Sequence, residues 1–305
     1  MATRRQTGPS VPPIVGIATG IVAVSSASIF IRYAQREAPS LVIAATRLAL
    51  ASLILAPIAW ARYRAEYRCL TRLDAWLLVF SGVFLALHFA TWISSLEYTS
   101  IASSTVLVST SPLFVAVASW LLLREKVGRA VILGLIVALV GSVIIGLSDA
   151  GKAGGGTRNA LLGDVLAFAG AVTVAGYLLI GRRVRAQLSL VPYIAAVYGT
   201  AAVVMLGLVG LARQTFAGYT PATYGWLLLL ALVPQLIGHS SFNWALAHLP
   251  ATFVSVATLG EPIGSTLLAY IILGEAPGLV KLMGAVLILV GIAVASQNPS
   301  APANS

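Results

Sequence analysis

Polar side chains with the means to bind a ligand recur along this chain at helical spacing inside otherwise apolar sequence. Ser81, His88, Trp92 and Ser95 follow one another at seven, four and three residues, which places them on one face of a helix. Gln235, His239 and Asn243 recur at four and four and define a second such face. Glu261 stands immediately before Pro262 in the middle of a third apolar run, and Arg47 lies inside a fourth. These residues carry donors, acceptors and both signs of charge. His88, His239, Asn243, Ser104 and Ser111 could contact a carboxylate or an ammonium group, while Trp92, Phe242 and Trp244 could stack on an aromatic side chain or face a cation. The competing reading has the hydroxyls bonding to their own helix backbone and the indoles serving as packing or anchors.

The elements that must position these groups are membrane-spanning helices. The 305 residues include 19 Lys+Arg against 9 Asp+Glu, 59% are apolar, and the mean hydropathy is +0.95, so a water-facing surface could not be covered. Apolar runs long enough to cross a hydrocarbon core occur at about 14–33, 41–60, 75–96, 101–123, 130–147, 161–180, 191–211, 224–246, 251–273 and 279–296. Without water, backbone groups must be satisfied within each segment, which demands helices, and no period-2 alternation suggests a barrel. The expected fold is therefore an all-α integral membrane protein of ten transmembrane helices. Along a helix of about 1.5 Å per residue, His88, Gln235, Ser111 and Glu261 all fall near mid-bilayer, a convergence that a single site requires.

The net charge of +10 reads first as topology. With the N-terminus inside, twelve basic residues fall on the cytoplasmic side: Arg4, Arg5, Arg62, Arg64, Arg68, Arg72, Arg124, Lys126, Arg129, Arg182, Arg183 and Arg185. Six fall outside: Arg32, Arg36, Lys152, Arg158, Arg213 and Lys281. Both termini are expected in the cytoplasm. Arg4 and Arg5 before the run from Ile14 imitate a signal peptide, but cleavage would remove a helix that the internal repeat needs.

That repeat is the most informative pattern. A shift of 150 residues superposes Pro112 on Pro262, Glu125 on Glu275, Gly128 on Gly278, Gly134 on Gly284 and Gly141 on Gly291, while the first helices align more loosely, Gly16 on Gly163 and Phe30 on Tyr177. The layout is a cytoplasmic segment 1–13, a five-helix repeat 14–147, a Gly-rich linker 148–160, a second repeat 161–296 and a polar tail 297–305 expected to be disordered. Five helices are an odd number, so the second half enters the membrane inverted. Inverted repeats place a substrate site at their interface and permit alternating access.

The ten-helix layout, the duplicated unit, the mid-run prolines and the closing motifs Leu123-Arg-Glu125-Lys-Val-Gly128 and Leu273-Gly-Glu275-Ala-Pro-Gly278 resemble the EamA-type transporters of the drug/metabolite transporter superfamily. Within it the chain is most similar to the YddG-type bacterial exporters of aromatic and other neutral amino acids. The resemblance implies export of amino acids across a bacterial inner membrane through a central cavity between the halves.

Specific roles follow as expectations. Glu261 is either a proton carrier or an ammonium partner, or else a structural tie at the Pro262 turn. Pro112 and Pro262 remove one helix hydrogen bond each and should bend their helices as hinges or gates. Arg47, about 9 Å from its helix end, either snorkels outwards or pairs with Glu97. Glu125 and Glu275 read as turn-fixing residues, and the Gly134/Gly141 and Gly284/Gly291 stripes as close packing, either internal or between two copies. A monomer and a homodimer both stay open.

Other classes lack their chemistry. The segment Gly146–Ala153 imitates a phosphate loop but has Ala153 where Ser or Thr is needed and follows a helix. Cys69 is the one cysteine, and no metal cluster or nucleophile elbow appears, so no cofactor, metal or catalytic group is expected. The partners expected are a small-molecule substrate and the lipid bilayer, with no nucleic acid. The alternatives are export of cationic drugs or other metabolites, and then a membrane-embedded enzyme or lipid-handling protein.

Overall fold

Polar side chains at helix starts set the element boundaries. In the computed structural model, residues 11–99, 104, 107–123, 127–150, 159–273 and 278–296 are described, the side chains of 123, 145–150, 160, 266, 269, 272, 273, 281 and 296 excepted. Glu125, Glu275, most of the Gly-rich linker, residues 1–10 and the tail lie outside them.

All described secondary structure is helical: α1 (Pro13–Ser25), α2 (Ala27–Ala34), α3 (Ser40–Arg68), α4 (Arg72–Tyr98), α5 (Ser111–Ala118), α6 (Arg129–Ala150), α7 (Ala160–Arg185), α8 (Leu190–Leu211), α9 (Pro221–Leu230), α10 (Ser240–Ala245), α11 (Ala251–Thr258), α12 (Glu261–Leu273) and α13 (Leu279–Ser296). Two π-helical segments, Ser119–Leu123 and Ala231–His239, continue α5 and join α9 to α10. Six of these spans among the described residues are long and apolar enough to cross a membrane, and the apolar stretches Ser111–Leu122, Arg129–Ile144 and Leu282–Ala295 belong to further helices. The expected ten crossings are thus not all present as long unbroken helices.

The differences have local causes. The second apolar run ends near Trp60, but α3 continues to Arg68, because Arg62, Arg64, Glu66 and Arg68 are strong helix formers that need no hydrocarbon around them. Pro112 and Pro262 do not bend continuous helices. Each occupies the second position of a new helix, after the turns Ser109–Thr110 and Leu259–Gly260, where a missing N–H costs nothing. The breaks are matched in the two halves, since the same shift of 150 relates both turns and both prolines.

The scarce carboxylates sit at helix starts. Thr71 and Asp74 form a capping box for α4. Three other helices are capped from elsewhere in the chain: Glu97 accepts from the Ser40 N–H (3.2 Å) and hydroxyl, Glu66 from the Ser189 N–H (2.9 Å) and hydroxyl (2.7 Å), and Glu37 from the Thr220 N–H (2.9 Å). An anionic acceptor there satisfies orphan N–H groups and favours the positive end of the helix dipole. Thr99 also donates to Asp164 at 2.7 Å. Contacts of 37, 40, 97, 99, 164 and 220 therefore gather at one end of the bundle, and those of 66, 67, 189 and 192 at the other, where the Tyr67 hydroxyl donates to the Pro192 carbonyl at 2.7 Å.

The halves pack as a two-fold relation requires. A methyl group at Gly134 would come 2.4 Å from the Gly291 carbonyl oxygen, and one at Gly141 would come 2.6 Å from that of Gly284. The two contacts exchange under the shift of 150, and they show that α6 and α13 run antiparallel within one chain. The glycine stripes thus serve an internal contact rather than an interface between copies. A second exchanged pair joins the other helices. Gly170 of α7 seats Trp92 of α4, with 3.3 Å from an added methyl group to Trp92 Cβ, and Gly20 of α1 seats the Phe242 ring at 2.6 Å. Gly20 therefore corresponds to Gly170, a tighter alignment of the first helices than Gly16 on Gly163.

Candidate functional site

A buried polar cluster crosses between the halves at the level of the π-helical segment. Arg47 of α3 is only 1% exposed. Its Nε donates to Gln235 Oε1 at 2.7 Å, and its guanidinium lies over the Phe89 ring at 4.1 Å. A desolvated cation on an aromatic face is worth about 2 kcal/mol. Arg47 neither snorkels nor pairs with Glu97, which is occupied by Ser40. The reason is position: Arg47 faces the bundle interior, where Gln235 is the first acceptor it meets.

The segment Ala231–His239 sets the neighbours. Its Pro234 cannot donate to the ladder, and the wider π turn accommodates it. Gln235 and His239 lie within this segment, a type of irregularity frequent at functional sites. The His239 ring meets Phe89 edge-on at 5.2 Å and lies 6.5 Å from Tyr177. Asn243 Nδ2 donates to the Tyr177 hydroxyl and, at 3.3 Å, to that of Tyr198. The Tyr198 hydroxyl is also 3.2 Å from the Ser240 hydroxyl and 3.5 Å from the Gln235 carbonyl. One network therefore runs from Arg47 through Gln235, Tyr198 and Asn243 to Tyr177.

His88 and Trp92 form one wall, stacked at 5.8 Å with 7° between the rings. His88 Nδ1 lies 2.9 Å from the Gly170 carbonyl, and the imidazole is 5.0 Å from Phe89. Glu261 is close enough to Arg47 for an electrostatic interaction, without hydrogen bonding to its terminal nitrogens. It stands in the first turn of α12, where the helix dipole favours a carboxylate. The Glu261 carbonyl accepts from the Ser25 hydroxyl at 3.2 Å, which ties α12 to α1.

Several expected residues lie elsewhere. Ser95 and Ser104 bond to each other at 2.6 Å, and Ser95 also donates to the Trp92 carbonyl, so their hydroxyls are consumed within the scaffold. Ser81 is likewise engaged, at 3.0 Å from the Tyr193 hydroxyl. Phe242 packs on Gly20, and Trp244 packs on Gly16 and meets His248 at 4.9 Å, so both line the seam with α1 rather than the cluster. Ser111 is buried at the start of α5.

Sequence reasoning missed Tyr177, Tyr193 and Tyr198, which are among the largest fully buried side chains. Their signal was available: a buried tyrosine needs a partner for its hydroxyl, and three of them fall in two consecutive apolar runs. The cluster is also asymmetric. Under the shift of 150, Gln235 corresponds to Leu85, His239 to Phe89, Asn243 to Ile93, Tyr198 to Leu48 and Glu261 to Ser111, whereas Arg47 corresponds to Val197 and His88 to Gly238. The scaffold is duplicated and its polar lining is not.

Five side-chain atoms of this cluster are buried without a protein partner: Arg47 Nη1 and Nη2, Gln235 Nε2, Trp92 Nε1 and Asn243 Oδ1. Each such atom costs about 1–3 kcal/mol if it stays unsatisfied. Among the described residues no group of acidic, His or Cys side chains could hold a metal ion.

Two packed halves of apolar helices around a polar cluster define a multi-pass membrane transporter. Residues 12–147 and 161–297 each match the EamA-like transporter family, and the chain belongs to that family. It is similar to an uncharacterized transporter, YetK, of Bacillus subtilis (strain 168), with 24% identity over 285 residues, covering 92% of this chain and 85% of that protein. Uncharacterized transporters of Clostridium kluyveri and Archaeoglobus fulgidus are 27% and 26% identical, over 79% and 87% of this chain and 78% and 90% of theirs. One solved crystal structure superposes with a TM-score of 0.76 over 93% of this chain and 96% of its own, at 20% identity, which is a likeness of fold.

Proposed function

We propose that this protein is a secondary carrier that moves neutral and aromatic amino acids outwards across a bacterial inner membrane by alternating access. Ten crossings, arranged as two inverted halves with both termini cytoplasmic, would rock about the central cluster. The observation that carries this reading is the asymmetric polar cluster itself: one cation, one carboxylate and several unpartnered amide and indole groups meet at the interface of a duplicated apolar scaffold. Groups so costly in hydrocarbon normally line a substrate path. A zwitterion is neutral overall and carries both charges that the cluster can complement. The stacked His88 and Trp92 rings would face an aromatic or aliphatic side chain.

The test is labelled amino-acid flux in liposomes containing the purified protein, with and without an imposed pH gradient. Uptake of phenylalanine, tryptophan and leucine analogues above empty-vesicle controls is expected. No amino-acid flux, together with flux of a lipid or a cationic drug, would sink the substrate assignment.

A further inference from the structure

Arg47 has five N–H donors in a planar fork and uses one of them, on Nε, for Gln235. Phe89 covers one face of the plane. What is left is the Nη1–Nη2 edge, both nitrogens buried and without a protein partner. This edge matches the two oxygens of a carboxylate, the geometry in which Arg forms parallel, charge-assisted hydrogen bonds.

Gln235 adds a second unpartnered donor beside the guanidinium. Because Arg47 can only donate, the amide atom facing it must be Oε1, so the other end of the amide is fixed as the NH2 group. That Nε2 is also unpartnered. The π-helical backbone from Ala231 to His239 holds the amide in register with α3.

We propose that Arg47 and Gln235 together form a carboxylate-binding subsite, with Asn243 Oδ1 and Glu261 as the acceptors that select an accompanying ammonium group. The ligand class is an α-amino acid, and the proposal deepens the carrier reading and rests on it. The charge count narrows the class further. With Glu261 ionised, Arg47 and Glu261 sum to zero, so a phosphate dianion would leave excess negative charge in a low-dielectric site, and a simple amine would leave the Arg47 edge unpaired. Asn243 has its Nδ2 consumed by two tyrosine hydroxyls, so only an acceptor remains on that side. Donors and acceptors are thus segregated within one network, as the two ends of a zwitterion require.

The experiment compares three probes on the detergent-purified, full-length protein by direct binding: L-phenylalanine, L-phenylalaninamide, whose carboxylate is neutralised, and 3-phenylpropionate, which lacks the ammonium. The wild type should bind phenylalanine at least ~10-fold more tightly than the amide, since every tenfold is a modest share of one charge-assisted pair. Arg47→Gln should erase that preference and Arg47→Lys restore part of it. Gln235→Met should lower it severalfold. Equal wild-type affinity for acid and amide, binding of none of the three probes, or equal losses for both ligands in Gln235→Met would overturn the subsite. Because the wild-type comparison needs no substitution, an unfolded Arg47 variant does not blunt the test. Preferential binding of phenylalanine without flux in liposomes would overturn the carrier reading and leave the subsite standing. Phenylalanine flux with unchanged affinity in Arg47→Gln would do the reverse.

Discussion

Arg47 Nε and Gln235 Oε1 lie 2.7 Å apart, and this bond joins a helix of the first half to the π-helical segment of the second. Removing one partner strands the other in a buried site. Gln235→Leu is therefore expected to destabilise the protein by about 1–3 kcal/mol, and Arg47→Met by a comparable amount. The double variant should recover most of the loss, because replacing both members of a buried polar pair by apolar groups is often close to neutral. A double-mutant cycle of melting temperatures in detergent checks this; strictly additive losses would show that the bond contributes nothing.

The glycines separate into two groups by what a side chain would meet. Gly134→Val should abolish a monodisperse folded species in size-exclusion chromatography, because its first carbon already meets backbone at 2.4 Å. Gly207 in α8 has nothing within 4 Å, so Gly207→Ala should be neutral or raise stability by about 0.5–1 kcal/mol through helix propensity. Tolerance of Gly134→Val would argue against the close α6–α13 contact.

The loop carboxylate of Glu37 should confer acid sensitivity. The Thr220 N–H, followed by the Thr223 hydroxyl, holds its carboxyl below the usual glutamate range. A group with a depressed folded value stabilises the fold above its unfolded value, and the contribution is lost as pH falls through the folded value. Melting temperature measured from neutral towards about pH 3 should fall more steeply in the wild type than in Glu37→Gln, and superimposable curves would remove Glu37 as the cause.

Truncating the aromatic wall should affect transport more than folding. Trp92→Ala is expected to impair amino-acid flux at unchanged expression, and His88→Ala likewise, although it also leaves the Gly170 carbonyl with the Thr173 hydroxyl as its side-chain partner. Normal flux in both variants would return the stacked pair to a packing role.

Glu261→Gln offers a separate readout. If Glu261 carries a proton, the variant should lose the response of flux to an imposed pH gradient while keeping exchange at uniform pH. A response identical to that of the wild type would assign the residue to the start of α12 alone.

The elements were legible where chemistry is periodic or duplicated. The faces of Ser81/His88/Trp92/Ser95 and Gln235/His239/Asn243, the matched prolines and the glycine stripes all followed from spacing. The direction in which those faces point was not legible. Phe242 and Asn243 are neighbours in sequence, yet one seals the seam on Gly20 and the other enters the polar network. From the sequence Arg47 reads as snorkelling outwards or pairing with Glu97, because a linear chain does not show that Ser40 already occupies that carboxylate. The π segment was hidden because its hydrogen-bond pattern depends on how Pro234 is accommodated in three dimensions. The buried tyrosines were overlooked because tyrosine in apolar sequence is commonly taken as interfacial.

The exchanged contacts Gly134–Gly291 and Gly141–Gly284 make the chain a heterodimer that happens to be covalently linked. Each half carries a complete copy of the adhesive surface that the other needs, so their association rests on these contacts as well as on the covalent link. Separately synthesised halves, inserted with opposite orientation, would be able to find each other. Their recombination would rebuild the Arg47–Gln235 bond, which neither half can form alone.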